Sequence, residues 1–116
     1  MRKLYICLVL LICAGFCFAA TWRNGVGGEL TATAAAQKCT LTNTVNTLSI
    51  NNSGANKIYV LVNCATQELN TAITAGNAIP IPAGSTFTFD AQGNASIESF
   101  CHKAASGTSA FIYGAY

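Results

Sequence analysis

One stretch constrains the fold more than any other: Lys57-Ile58-Tyr59-Val60-Leu61-Val62-Asn63-Cys64. Asn51-Asn52-Ser53-Gly54-Ala55-Asn56 precedes it and Ala65-Thr66-Gln67 follows. A short β-branched and aromatic run closed by turn residues at both ends is the pattern of a buried strand. Strand alternation puts Ile58, Val60, Val62 and Cys64 on one face, and Tyr59 and Leu61 on the other with Asn63. Apolar residues on both faces predict that one face lies in a core and that a loop or a neighbouring subunit covers the other.

The rest of the chain supplies strands to set beside this one. Cys39 and Leu41 share a face, as do Leu48 and Ile50 further on. Joining them in one strand needs a bulge near residues 43–46, and two short strands are the alternative. Gly54 can take positive φ in the following turn. Residues 66–75 read as a short helical turn or a loop, with Leu69 and Ile73 at helical spacing. Ile79-Pro80-Ile81-Pro82 removes two ladder donors at alternate positions, which confines it to a sheet edge. Phe87 and Phe89 share one face of the next strand, Thr86 and Thr88 the other. Residues 97–102 and 109–116 read as the last two strands. Short strands at close, regular intervals predict an all-β fold, a single small antiparallel β-sandwich, Ig-like or jelly-roll-like.

The first residues read differently. Met1-Arg2-Lys3 is basic, Leu4 to Phe18 is almost unbroken apolar, and Cys17-Phe18-Ala19 offers a cleavage point after Ala19. That is the layout of a signal peptide, and the apolar run is shorter than the roughly 20 residues that span a bilayer. The expected organisation is a signal peptide over residues 1–19, a flexible Gly-, Ala- and Thr-rich arm over 20–37, and the sandwich over 38–116. Localisation follows: exported to a periplasm, cell surface or medium, with no membrane contact once the leader is cleaved.

Cleavage also changes the charge. Arg23, Lys38, Lys57 and Lys103 remain against Glu29, Glu68, Asp90 and Glu98, so the mature chain is formally neutral. Nucleic-acid binding needs clustered cations to neutralise phosphates, and these are scattered singly. Cys39, Cys64 and Cys101 remain of the six cysteines. An odd number in an exported chain predicts one bridge and one leftover thiol, or an intermolecular bridge. Cys64 shares the Ile58 face of its strand. Cys101 shares the Ile97 face of its own if no bulge intervenes, so Cys64–Cys101 is the favoured pair. Cys39–Cys64, Cys39–Cys101 and three thiols remain open.

Four segments carry a resemblance: residues 51–60, Ile79-Pro80-Ile81-Pro82-Ala83-Gly84 with the aromatic strand after it, Ile97-Glu98-Ser99-Phe100, and Gly107-Thr108-Ser109-Ala110. Over roughly Leu48 to Tyr116 their order resembles small β-sandwich proteins and domains among the structural proteins of tailed bacteriophages. The resemblance implies a virion-associated assembly or decoration module. A signal peptide and this set of cysteines depart from that pattern.

Catalytic chemistry finds little support. Cys101 and His102 are adjacent, so a strand points them to opposite faces, which predicts a buried or bridged Cys beside an exposed His. His102 is the single histidine, and no zinc-type spacing and no blue-copper set of two His and a Cys can form within one chain. Asp90 and Glu98 flank a turn and could approach each other as a glycosidase pair, but solvated charge is the plainer reading. The expectation is a non-enzymatic structural or interaction protein, without catalytic residues, cofactor or metal, that self-assembles or binds a protein partner. Its alternative is a secreted binding module for a carbohydrate or cell-surface ligand. Trp22, Tyr59, Phe111 and Tyr113 are the candidate contact residues, since aromatic side chains dominate interface cores.

Overall fold

The computed structural model describes residues 26–92 and 95–116. The leader and Trp22 lie outside the described residues. The elements are β1 (Val26–Ala32), β2 (Gln37–Val45), β3 (Thr47–Asn51), β4 (Ile58–Val62), α1 (Thr66–Ala75), β5 (Ile79–Ile81), β6 (Thr86–Asp90), β7 (Ile97–Ala104) and β8 (Ser109–Ala115). They form two four-stranded sheets, ordered β1-β8-β3-β6 and β2-β7-β4-β5, with every pair antiparallel. The chain is all-β apart from α1, and this eight-stranded order is that of a jelly roll, or double-stranded β-helix. An immunoglobulin sandwich pairs its strands differently. No helix among the described residues is long and apolar enough to cross a membrane.

Alternation builds the core. Leu48, Ile50, Phe111 and Ala115 face inward from one sheet; Leu41, Val45, Ile58, Val60, Ile81, Phe100 and Ala104 face them from the other. β4 lies inside its sheet between β7 and β5. Its second face, with Tyr59 and Leu61, is covered by α1 through the buried Leu69 and Ala72. The cover is thus a helix of the same chain. α1 begins without a side-chain cap at Ala65 and stops at Gly76, whose φ of 77° lets its N–H bond to the carbonyls of Ala72 and Ile73. β5, with its two prolines, pairs with β4 alone at the sheet edge, as its missing donors require.

Both readings of residues 38–51 meet in the structure. β2 carries a register shift between Thr40 and Val45 against β7, and the chain then changes sheets at Asn46 to begin β3. The stretch read as an arm corrects differently. Val26–Ala32 is a full strand, paired with β8 from Val26↔Ala115 to Ala32↔Ser109. Its glycines serve close approach: a Cβ on Gly27 would stand 3.0 Å from the Tyr113 carbonyl oxygen, and one on Gly28 3.3 Å from the Tyr113 ring. Glycine inside a strand marks such contacts as often as looseness.

The turn between β3 and β4 is held by a buried amide. Asn52, fully buried, donates from Nδ2 to the carbonyls of Asn56 (2.8 Å) and Ile81 (2.9 Å). Its Oδ1 accepts from the Gly54 N–H (3.2 Å) and the Ser109 hydroxyl (2.8 Å). Gly54 is absent from the residues with positive φ. It is glycine because a Cβ would stand 2.6 Å from the Ala110 nitrogen.

Candidate functional site

The Cys64–Cys101 bridge forms, with its Cα atoms 6.1 Å apart, and Cys39 keeps its thiol. Its layer differs from the one alternation predicts. Both cysteines lie with Leu69, Ala72 and Ala78 beneath α1, outside the main core. Asn63 causes the change. Its φ of 50°, the one positive value on a non-glycine among the described residues, turns Cys64 away from the Ile58–Val60 face. The same side chain opens β7. Asn63 Oδ1 accepts from the N–H groups of both Glu98 (2.7 Å) and Ser99 (3.4 Å), while Nδ2 donates to the Ser96 carbonyl (2.8 Å). Two successive N–H groups on one acceptor break the alternation, so Ile97 packs in the main core and Cys101 in the outer layer.

His102 is not exposed. It pairs across the strands with Val60 and Gln37 and faces the core at 3% exposure. Its ring lies 4.8 Å from that of Phe111 and 5.9 Å from that of Phe100. Nδ1 is buried without a hydrogen-bond partner, and burial lowers the imidazole pKa to about 4. Cys101 and His102 point to opposite layers, so they form no nucleophile–base pair.

The contact residues proposed from sequence scatter. Phe111 is fully buried, so it offers no surface. Tyr113 lies on the inner face beside Ile50, partly buried. Tyr59 packs at the margin of the α1 layer with the Lys57 ammonium 5.1 Å from its ring centre. No shared platform joins them. Among the described residues, the large apolar side chains most exposed to solvent are Phe87 (39%), Ile112 (51%) and Tyr116 (68%). Sequence reading put Phe87 on the Phe89 face but could not show that this face lies at an open edge.

That edge borders a concavity. β6 closes one sheet and β5 the other, and the two edges stand apart at a groove of about 500 Å³. Val62, Ile79, Phe87, Phe89 and Ile97 supply its apolar wall. Phe87 and Phe89 meet edge to face with ring centres 4.7 Å apart. Thr88, Asp90, Gln92 and Ser96 supply polar groups. The Asp90 carboxylate accepts from the Thr47 hydroxyl at 3.1 Å, which fixes it at the rim. Volume and composition fall in the range of small-molecule sites. Glu98 does not line the groove, so the expected approach to Asp90 does not place a carboxylate pair there.

No protein-family model matches the chain, and no curated protein matches it. Solved structures match in shape. The chain aligns over 83% of its length with apo-HppE at a TM-score of 0.51 and 9% identity, covering 44% of that chain. It aligns over 79% with an HTH_3 family transcriptional regulator from Vibrio cholerae at 0.51 and 13% identity, covering 43% of that chain. It aligns over 78% with a de novo designed double-stranded beta-helix at 0.48 and 11% identity, covering 96% of that chain. The chain spans under half the length of the first two. At such identities the likeness concerns the fold alone.

Proposed function

We propose that the chain is an exported, non-enzymatic binding module that takes a saccharide into the groove between β5 and β6. One observation carries the reading: an edge-to-face pair, Phe87 and Phe89, in a groove of about 500 Å³ with a fixed carboxylate and an amide at its margin. A sugar ring has one apolar C–H face and an edge of hydroxyls. An aromatic wall covers the first, and Asp90 and Gln92 bind the second, so that few polar groups go unpaired. Cleavage of a glycosidic bond uses two flanking carboxylates. Among the described groove residues, Asp90 is the one carboxylate. The leader layout and the Cys64–Cys101 bridge both fit an oxidising compartment.

A second reading, assembly or decoration as in phage structural β-sandwiches, draws on a different surface. Ile112 stands exposed on the outer face of β8, and Tyr116 follows it. Jelly rolls serve both capsids and lectins, so the fold favours neither reading. Light scattering after size exclusion, with calorimetric titration of saccharides chosen from a glycan array, separates them on residues 20–116. A monomer that binds a saccharide, and loses at least about tenfold in affinity on Phe87→Ala, supports the binding module; a tenfold loss is about 1.4 kcal/mol. A stable oligomer without saccharide affinity, dissolved by Ile112→Asp, supports assembly instead.

A further inference from the structure

The opposite pair of sheet edges, β1 and β2, opens on a second cavity with different chemistry. Its volume is about 460 Å³, and Leu30, Thr31, Gln37, Lys38, Cys39 and His102 line it. Cys39 is the thiol left over by the bridge, and it is half-buried. His102 is almost completely buried and has an unpartnered ring nitrogen. β2 and β7 are adjacent, with Gln37 opposite His102 and Cys39 opposite Phe100. Cys39 and His102 are therefore diagonal neighbours on the same inward face, about 7–8 Å apart at the backbone. The intervening space suits one ion held by both side chains, since a sulfur–metal–nitrogen span is about 4.3 Å.

We propose that Cys39 and His102 form a two-donor site for a soft monovalent metal ion, with Cu(I) as the natural class. Thiolate and imidazole are soft and borderline donors, which favours this class over hard, oxygen-seeking cations. Charge balance points the same way. A thiolate and a neutral imidazole exactly neutralise a monovalent ion, whereas a divalent ion leaves a net positive charge in an apolar interior. The cavity lining holds no carboxylate to offset it, and Lys38 adds a further positive charge at the rim. Two donors on neighbouring strands suit the low coordination number that such ions accept. The site shares no lining residue with the Phe87 groove, so it stands or falls separately from the saccharide reading.

Anaerobic titration of residues 20–116, bridge intact, with Cu(I) against a chromogenic chelator tests the site, and Ag(I) serves as a redox-inert probe. One ion binds per chain. Cys39→Ser abolishes binding, and His102→Gln weakens it by more than about tenfold, the lower range seen even for groups one step removed from a metal. Because His102 is buried, its variant could fail to fold, so the unaltered protein gives an independent reading. On adding one equivalent of Ag(I), the ¹⁵N resonance of a His102 ring nitrogen shifts. Binding that leaves the His102 ring nitrogens unchanged, or that equals wild type in a folded His102→Gln protein, overturns the proposal.

Discussion

Two asparagines do more than their type suggests, and they do it by different means. Asn63 holds a left-handed backbone and bonds three groups of the β7 entry. Asn63→Ala keeps the unfavourable φ and loses the bonds, so denaturant unfolding should show a loss of about 1–2 kcal/mol. Asn52→Ala is expected to cost more, on the order of 3 kcal/mol, because four partners, two of them buried, lose their bond at once. His102 sets a pH dependence. Its folded pKa of about 4 lies below the ordinary value of 6.5, so the unfolded chain binds more protons between the two. Stability is therefore full above about pH 6.5 and falls as pH drops towards 4, by an amount on the order of 2 kcal/mol. Urea unfolding at pH 7 and pH 4 measures this fall, and His102→Phe should flatten it. Alternation in the sequence led to the right cysteine pair but the wrong layer. The parity breaks at Asn63 and at Glu98–Ser99 arise from a dihedral and a side-chain acceptor, and no residue period encodes either.

At the scale of elements, the strands were legible wherever apolar and polar residues alternate. β4, β6, β7 and β8 all appear close to their expected limits. Ile79-Pro80-Ile81-Pro82 declared its edge position through chemistry that permits no other. β1 was not legible, because Gly27 and Gly28 are selected by the approach of Tyr113 from β8, a contact 85 or so residues away along the chain. α1 was half-legible: Leu69 and Ile73 gave the period, but its role as the lid over Cys64–Cys101 depends on packing. That bridge ties the end of β4 to the middle of β7 and closes a loop across a sequence separation of 37 residues. Closing such a loop removes unfolded-state entropy worth about 4 kcal/mol. The Cys64→Ser/Cys101→Ser double variant should lose most of that in chemical denaturation, while Cys39→Ser should change stability little.

At the scale of the molecule, a sandwich was legible and the strand order was not. Order depends on pairings between distant strands, such as β1 with β8 and β3 with both β6 and β8. The groove inherits that difficulty. Alternation placed Phe87 and Phe89 on one face of a strand, but only the strand order sets β6 at one sheet edge and β5 at the other. The expected contact set of Trp22, Tyr59, Phe111 and Tyr113 weighed aromatic type, whereas exposure depends on which face of a strand turns outward, as Phe111 and Ile112 show, and on which strands end each sheet. The most direct test of saccharide binding is a map of the bound ligand on the protein. Uniformly ¹⁵N-labelled residues 20–116 are titrated with a panel of mono- and disaccharides while amide shifts are followed. Saturable shifts centred on Phe87, Thr88, Asp90, Gln92 and Ile97, lost in Phe87→Ala, are the predicted result. No saturable shift with any sugar of the panel, or shifts centred away from the β5–β6 edges, would contradict it.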